Sequence, residues 1–438
     1  MKKTFILFLS LIYCISAHAQ VKFEEYDLNN GLHVILHENH RAPVVAVTVM
    51  YHVGSKNESP NRTGFAHFFE HLLFEGSENI PKGEFLNIVS NNGGRENANT
   101  TQDRTFFYEL FPSNQLKLGL WLESERMLHP VINETGVKTE NEVVKAEKRQ
   151  RVDNQPYGRF AEEVFKRLFI NHPYRWQPIG SMNDLDSAKL PEFKTFFKRF
   201  YVPSNAVITI AGDINPDSTK KLIEAYFLDI PSGQPVKPVK YKEPDIVKAL
   251  CDTVYDSHIQ VPAIINAYRV PGRQSRDSKI LTVISSVLSE GSSSVLKRKL
   301  IDEKKTAHQI LSFDYSLEDY GVYILGALPN GNVDLKEILA DIDGEILKLQ
   351  TGLVSDVVFR RIQNKFENNY IDRYSGMVGV AQYLSEGYLL YEKDTNHVNE
   401  ELSVIRSITK AEIMSVARKY LNPEQRLQLY YLPTKHKL

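Results

Sequence analysis

The sequence predicts an α+β fold in which two homologous domains each pack helices on a mainly antiparallel β-sheet. Three observations predict it. Sequence fragments recur in one order at a nearly constant offset, a proline-rich segment divides the chain near its middle, and several strand-like segments have no helix directly after them. Parallel strands need a long crossover, usually helical, so this order of elements favours antiparallel pairing.

The repeat is visible in three pairs of fragments. LFEGS at residues 73–77 returns 215 residues later as LSEGS, and RFYVPSNAVITI at residues 199–210 returns 219 residues later as RKYLNPEQRLQL. Before the corresponding helices, VVAVTVMYHV and AIINAYRV both have the composition of strands. Three pairs in the same order indicate that the two domains arose by duplication.

The boundary between the two halves is a segment rich in proline. Residues 231–245, PSGQPVKPVKYKEPD, contain four prolines and few apolar side chains, which is typical of a semi-rigid linker. The sequence therefore predicts an N-terminal domain at residues 20–230 and a homologous C-terminal domain at residues 246–438.

The first 19 residues have the pattern of a signal peptide. Lys2 and Lys3 precede a short apolar run, and small residues follow at Ala17 and Ala19. An uncleaved anchor is the alternative, but a membrane span needs about 20 apolar residues and this run is shorter. We therefore expect secretion across the inner membrane, to the periplasm or the exterior. Only Cys251 would remain after cleavage, which excludes a disulfide within the mature chain.

The composition argues against nucleic-acid binding and against a membrane-spanning segment. The chain has 438 residues, of which 42% are hydrophobic and 24% charged, as in ordinary soluble globular proteins. Its formal net charge of −1 shows no basic excess, so the sequence does not favour nucleic-acid binding. Charges recur along the whole chain after the signal, so no integral membrane segment is expected.

Other segments of the first half have the patterns of strands or helices. Strands are predicted for GLHVILHE, PVVAVTVMYHV, TTQDRTFFYELF and NAVITIAGD. Helices are predicted for LKLGLWLESERML, EVVKAEKRQRV and PEFKTFFKRFY. Although His33 and His37 are four residues apart, a strand separates such positions by about 13 Å, too far for one ion, and we expect them on a solvated strand face.

The segment GFAHFFEHLLFEGS, residues 64–77, places three titratable side chains inside an apolar helix. His67, Glu70 and His71 occupy positions i, i+3 and i+4, which share one helical face. A buried imidazole or carboxylate is costly without a partner, and a metal ion is such a partner. H-x-x-E-H is an inverted zinc-hydrolase motif, with two histidine ligands and a glutamate that takes a proton from water. The alternative is a pair of core histidines with ordinary hydrogen bonds.

A third ligand is expected on another element, since catalytic zinc sites usually have three protein ligands. In TENEVVKAEKRQRVDN, Glu140 and Glu147 share one helical face with Val143 and Val144, which indicates that at least one acid points inward. An exposed helix with surface salt bridges is the alternative. The spacing alone does not decide between Glu140 and Glu147.

Five motifs together resemble the pitrilysin/insulinase family of zinc peptidases. They are GFAHFFEHLLFEGS, NANTTQDRTFFYELF, ENEVVKAEKRQRVDNQPYG, HPYRWQPIGSMNDL and FYVPSNAVITIAGD. The chain length resembles the processing-peptidase-like branch, whose two-domain chains pair with a second chain. The resemblance thus implies that this chain forms half of a clamshell.

The resemblance assigns roles to individual residues. His67 and His71 match the zinc ligands of the family, Glu70 matches the general base, and the family spacing places the third ligand at Glu147. Glu140 matches an acid that supports the catalytic site from behind the ligands. Four residues match the edge strand to which a peptide substrate adds by β-augmentation: Asn97, Ala98, Asn99 and Thr100.

The second half departs from the family pattern. Self-sufficient members carry an Arg and, seven residues later, a Tyr that contact the substrate, and here Ile301 and His308 occupy those positions. Thr282, Ser285 and Ser286 stand where the first half has its metal motif. We therefore expect a non-catalytic second half and a homologous partner subunit that lacks the zinc motif and supplies the Arg/Tyr pair. A homodimer is the alternative.

Together these features predict a zinc metalloendopeptidase with one Zn²⁺ per chain, acting on peptides or unfolded polypeptides as the catalytic subunit of a two-chain assembly. A non-catalytic peptide-binding or scaffold subunit of the same family is one alternative. A zinc esterase or amidase is another, although a strand for β-augmentation favours peptide substrates.

Overall fold

The computed structural model describes residues 20–238 and 240–434. The predicted signal peptide at residues 1–19 lies outside this part of the chain. Within it, each helix is too short or too polar to cross a membrane. The described residues of the proline-rich segment 231–245 form no helix or strand.

The first half alternates strands with helices. Its strands are β1 (Glu24–Asp27), β2 (His33–Glu38), β3 (Val44–Tyr51), β4 (Arg95–Thr100), β5 (Thr105–Pro112) and β6 (Ala206–Gly212). Its helices are α1 (Phe65–Leu72), α2 (Glu84–Asn91), α3 (Leu116–Leu128), α4 (Glu134–Lys148), α5 (Phe160–Leu168), α6 (Met182–Ser187), α7 (Leu190–Phe200) and α8 (Pro216–Phe227).

The second half repeats this order with longer helices. Its strands are β7 (Leu250–Asp256), β8 (Ala263–Pro271), β9 (Ala307–Ser316), β10 (Tyr320–Pro329) and β11 (Leu427–Pro433). Its helices are α9 (Arg276–Leu288), α10 (Leu335–Thr351), α11 (Asp356–Arg373), α12 (Met377–Leu390), α13 (His397–Arg406) and α14 (Lys410–Tyr420).

The two sheets have the same topology. The first has the order β1-β2-β6-β3-β5-β4 and the second the order β7-β11-β8-β10-β9, so each strand from β7 onward has a counterpart in the first sheet. In each sheet one pair is parallel, β2 with β6 and β7 with β11, and the other pairs are antiparallel. The predicted α+β fold of two related domains with mainly antiparallel sheets is thus confirmed.

Each sheet packs its own helices on one face and a helix from the other half on the opposite face. On the first sheet, Val380 and Leu384 of α12 bury Ile35 and Val207. On the second sheet, side chains of α5 form a core with β8 and β11. This exchange of one helix in each direction was not predicted, and it places apolar contacts across the predicted domain boundary.

The predicted solvated face of β2 is wrong. His33 and His37 are both buried, at 5% and 8% exposure. His33 stacks on Tyr388 of α12 with ring centroids 3.5 Å apart, and His37 Nδ1 lies 2.7 Å from the carbonyl oxygen of Lys22. The second half covers this face, which the alternation of the strand alone cannot show.

The core beneath α1 contains a buried ion cluster. Arg126 of α3 lies 2.9 Å from Glu109 and 3.0 Å from Glu123, and all three side chains are fully buried. Burial and the neighbouring Glu123 raise the pKa of Glu109 well above its usual range, which favours the protonated form of Glu109. Arg126 also donates to the carbonyl oxygen of Leu73, just after α1, over 2.9 Å. The cluster therefore fixes the end of the helix that carries the metal motif.

We expect Arg126→Met to lower the free energy of unfolding by about 3–5 kcal/mol, because it leaves buried carboxyl groups without their cation. Urea denaturation of both proteins measures the difference. Arg298→Met is the control, since Arg298 is exposed and should change stability by no more than about 0.5 kcal/mol. Equal stability of the Arg126 variant and the wild type would show that the cluster contributes nothing net.

Candidate metal centre

Helix α1 carries His67, Glu70 and His71 on a face that the aromatic core leaves free. Its other faces bury Phe65, Phe68 and Phe69, which contact rings of α7 at centroid distances of 4.5–6.2 Å. This dense aromatic packing fixes the helix and therefore the direction of its three polar side chains.

Both ends of α1 are held by buried side chains from elsewhere in the chain. At the start, Gly64 has a φ of 95° and offers no side-chain cap, but the carboxyl group of Glu58 accepts hydrogen bonds from the N–H groups of Gly64 and Ala66, each 2.9 Å long. These bonds satisfy N–H groups that a helix N-terminus leaves unpaired, and burial raises the pKa of Glu58 well above its usual range. At the other end, Arg126 binds the carbonyl oxygen of Leu73.

Helix α4 brings the third carboxylate to this face. Val144 is fully buried against the first core, and Glu147, three residues later, points towards α1. Glu147 Oε2 lies 3.5 Å from His67 Nε2 and 3.0 Å from His71 Nε2. One donor atom from each of the three residues lies within 4.8 Å of the others. The structure thus brings together the three residues that the resemblance assigned as ligands.

Glu140 takes a different position on the same helix. Its Oε2 lies 3.7 Å from His71 Nδ1, the ring nitrogen on the side away from Glu147. Burial and the adjacent Glu75 raise the pKa of Glu140 to about 7. Glu140 is therefore next to a ligating histidine candidate but is not one of the three residues whose donor atoms converge.

The unsatisfied atoms of the cluster fit a metal ion. Glu147 Oε2 makes no hydrogen bond of acceptable geometry within the described residues, although it is buried between two imidazoles. Two histidines and one carboxylate with converging donor atoms are a typical ligand set for catalytic zinc. An orphaned carboxylate oxygen in such a place is costly without a cation.

The protonation of the two histidines is compatible with ligation. Burial, together with the neighbouring His71, lowers the pKa of His67 to about 4, so that ring is neutral at pH 7. Burial would also lower the pKa of His71, but the carboxylates of Glu147, Glu70 and Glu140 outweigh it and raise that pKa. The adjacent His71 holds the pKa of Glu147 below its usual range despite burial. A metal ion would therefore compete with a proton for His71 more than for His67.

Glu70 lies beside the cluster and outside it. Burial raises its pKa, while a hydrogen bond with Thr100 and the charge of His71 oppose that rise. Its Oε2 is buried and makes no hydrogen bond within the described residues. A raised pKa makes this carboxylate a stronger proton acceptor than an exposed glutamate, which suits a general base.

Strand β4, which contains Asn97, Ala98, Asn99 and Thr100, is the free edge of the first sheet. It pairs only with β5, and its exposure alternates, so that Ala98 and Thr100 face α1 while Asn97 and Asn99 face solvent. Arg104 donates to the carbonyl oxygen of Asn99 over 3.1 Å and stabilises the end of this strand. The edge therefore has the form that β-augmentation requires.

Ile301 and His308 line a cavity of the second half. Its volume is about 540 Å³, and Lys297 and Asp302 also line it. His308 Nδ1 lies 2.9 Å from the carbonyl oxygen of Pro329. His67, His71 and Glu147 are not among the residues that line this cavity.

Two residues with a role at the site were missed from the sequence. Glu58 and Arg126 are distant in sequence from the positions they hold, and neither belongs to a periodic pattern. The only available signal for Arg126 was a charged residue among the apolar positions of a predicted helix, which is equally common on exposed faces.

Family comparisons agree with this geometry. Residues 33–179 match the model of the insulinase family, described as peptidase family M16, and residues 187–366 match the model of the M16 inactive domain. The chain belongs to the insulinase family, M16. The resemblance noted in the sequence is thus confirmed, and the family description of the second half agrees with its loss of the metal motif.

Relatives of this M16 chain are named zinc proteases. Zinc protease PqqE of Helicobacter pylori is 29% identical over 424 residues, which cover 95% of each chain. The uncharacterized zinc protease YmxG of Bacillus subtilis is 25% identical and covers 68% of this chain and 72% of its own length.

Solved structures show the same fold. A protease from Helicobacter pylori has a TM-score of 0.89 and 29% identity, covering 94% of this M16 chain and 100% of its own. The periplasmic protease PqqL from Escherichia coli has a TM-score of 0.76 at 18% identity, and the match covers 94% of this chain and 47% of PqqL. At that identity the likeness to PqqL concerns the fold alone.

Proposed function

We propose that this M16 chain is a zinc-dependent endopeptidase acting on peptides or unfolded polypeptides. The observation that supports it most directly is that donor atoms of His67, His71 and Glu147 converge, with Glu70 beside them. The Glu147 oxygen that faces both histidines is buried and makes no hydrogen bond of acceptable geometry within the described residues. The proposal goes beyond the zinc-protease names of the relatives, because it assigns the activity to specific residues.

His67, His71 and Glu147 would hold the zinc ion. When bound, the ion would supply Lewis acidity, which acidifies the attacking water and polarises the scissile carbonyl group. Glu140 orients His71 through its contact with Nδ1. The packing of α1 and α4 already holds each of these side chains in place.

Glu70 transfers a proton of the attacking water. It takes a proton from the attacking water and later delivers that proton to the amine of the leaving peptide. Burial raises the pKa of Glu70, which favours the protonated carboxyl that the second transfer needs. The same residue thus serves as base and then as acid.

The substrate adds as a strand to β4. Backbone hydrogen bonds to this edge would hold an extended peptide without strict demands on its sequence. A cavity of about 320 Å³ lies beside His71 and Asn97, with Leu86 on one side and Glu75 and Glu140 on the other. It is large enough to take one side chain of the substrate next to the scissile bond.

The second half of the chain would act as scaffold, and a second chain would complete the site. Ile301 and His308 cannot replace an Arg/Tyr pair as donors to the developing oxyanion, since isoleucine has no donor. We therefore propose a heterodimer in which a homologous subunit supplies that pair. Export across the inner membrane is part of the same proposal and rests on the leader sequence.

The metal assignment predicts different effects for three acids of α4. We expect about one zinc ion per wild-type chain, loss of zinc in Glu147→Gln, and a zinc affinity about 10–100-fold lower in Glu140→Gln, because that acid only orients a ligand. Metal analysis after dialysis against a zinc buffer measures this. Glu142→Gln is the matched control, since Glu142 lies on the same helix, is exposed and pairs with Lys145.

The scaffold alternative predicts another result. A chain that binds peptides without cleaving them would give the same uncleaved peptide with and without a chelator. Full zinc content in Glu147→Gln would contradict the ligand set, and cleavage of small esters with none of peptides would favour a different zinc hydrolase.

A further inference from the structure

The second half contains a polar cavity that the proposed peptidase reaction does not use. It has a volume of about 370 Å³ and lies between α9, β9, α11 and α13. At about 30 Å³ per molecule in the liquid, that space equals roughly a dozen waters. It would also accommodate one small organic molecule.

This cavity is the counterpart of the metal centre in the duplicated domain. Thr282 lines it from α9, 215 residues after His67 on α1. Phe366 and Arg373 line it from α11, seven residues apart, as Glu140 and Glu147 are on α4. Hydroxyl, phenyl and guanidinium groups thus replace the metal donors. The fold has kept the cavity while its chemistry has changed from that of a metal site.

The walls of the cavity are joined by side chains. Three pairs connect α9 to β9: Ser278 with Ser316 at 2.8 Å, Ser285 with Ser312 at 2.8 Å, and Thr282 with Asp314. On the opposite side, Arg373 pairs with Glu401 at 2.6 Å, and Lys279 donates to the hydroxyl of Tyr391 over 2.9 Å. The site is therefore built from interlocked polar groups.

Two polar atoms in this cavity lack a partner within the described residues. Asp314 Oδ1 accepts no hydrogen bond, and Arg273 Nε donates none, although Arg273 Nη2 donates to the carbonyl oxygen of Ser316 over 2.7 Å. Both atoms are buried. Leaving such atoms unpaired costs free energy.

The two atoms have opposite requirements. Asp314 Oδ1 can accept a hydrogen bond and Arg273 Nε can donate one, although Nη1 of Arg273 already lies 3.8 Å from a carboxylate oxygen of Glu386. Asp314 and Ser316, whose carbonyl oxygen Arg273 contacts, are two residues apart on β9, so their Cα positions differ by about 7 Å at roughly 3.3 Å per residue. An α-amino acid carries an ammonium and a carboxylate at a spacing that, with a hydrogen bond at each end, bridges such a distance.

We propose that this cavity binds a small zwitterion, an α-amino acid with an apolar side chain. Its ammonium group would bind Asp314, its carboxylate Arg273, and its side chain the apolar surface of Phe366 and Ile405, which also line the cavity. A simple anion is disfavoured by Asp314 and Glu401, and a simple cation by Arg273, Lys279 and Arg373. The site is independent of the peptidase proposal.

The proposal is tested by calorimetric titration of the full chain with L-leucine in the presence of a chelator, which prevents binding through a metal ion. We expect Asp314→Asn and Arg273→Met each to weaken leucine binding about ten- to hundredfold, since each removes the charge that would bind one end of the zwitterion. N-acetyl-L-leucine and L-leucinamide, which each lack one charge, should bind the wild-type chain more weakly than leucine by a similar factor. Asp302→Asn, in another cavity of the same half, and Glu70→Gln should bind leucine like the wild type.

Three results would overturn the proposal. One is no binding of L-leucine at millimolar concentration. Another is equal binding of leucine and its N-acetyl derivative, which would exclude recognition of the ammonium group. The third is loss of binding in Glu70→Gln but not in Asp314→Asn, which would place the ligand at the metal centre. Circular dichroism of each variant establishes that it is folded.

Discussion

Glu70→Gln is expected to leave a folded, zinc-loaded protein that has lost peptidase activity by a factor of about 10²–10⁴, the usual contribution of a positioned general base. The amide keeps the shape of the side chain but cannot accept the proton of the attacking water. Because burial already raises the pKa of Glu70, a neutral group at this position should not lower stability. Steady-state cleavage of a quenched fluorescent peptide, zinc content and thermal unfolding measure the three quantities.

Glu84→Gln provides the matched control for this variant, because Glu84 is an exposed glutamate at the start of α2 in the same domain. It should keep wild-type activity, zinc and stability. Wild-type activity in Glu70→Gln would remove Glu70 from the mechanism. A loss of zinc together with activity would instead make Glu70 a member of the ligand set.

The second large effect concerns the missing donors of the second half. We expect the purified wild-type chain to cleave peptides slowly, and the double variant Ile301→Arg, His308→Tyr to raise its turnover about 10²–10³-fold, the effect of one oxyanion donor in other enzymes. The reason is that the arginine and tyrosine restore donors for the charge that develops on the carbonyl oxygen. Turnover of the same fluorescent peptide measures the gain.

A mixing experiment shows which chain supplies the donors. A chain with Ile301→Arg, His308→Tyr and Glu70→Gln is inactive alone, and adding it to wild-type chain should produce activity if the pair acts across a dimer. The double variant Ile301→Leu, His308→Phe is the control, since it adds no donor. Full activity of the wild-type chain alone would contradict the need for a partner.

Much of the fold was predictable because it depends on patterns that are local or repeated. The duplicated fragments predicted two related domains, and the sheets β2-β6-β3-β5-β4 and β7-β11-β8-β10-β9 have the same order. Helix α3 begins and ends at the residues that the apolar pattern predicted, Leu116 and Leu128. The exchange of α5 and α12 was not predictable, because it depends on which free sheet face each helix meets.

The candidate site likewise has a part that the sequence predicts and a part that depends on the tertiary structure. A helix of 3.6 residues per turn requires His67, Glu70 and His71 to share a face, so their sequence spacing was sufficient. The choice between Glu140 and Glu147 was not available from spacing, since both lie on one face of α4. The angle at which α4 crosses α1 decides it, and places Glu147 at Nε2 of both histidines and Glu140 at Nδ1 of His71.

The sequence by itself therefore determined the α+β class, the duplication, the family and the helical face that carries the motif. Only the tertiary structure decided how α4 brings Glu147 to both histidines, that Glu58 and Arg126 hold the ends of α1, that His33 is buried under α12, and that Asp314 and Arg273 line one polar cavity. The physical reason is the separation along the chain of the residues that interact. Periodicity and local propensity act within one element, whereas these contacts join elements that are far apart in the chain and meet only when the two halves pack together.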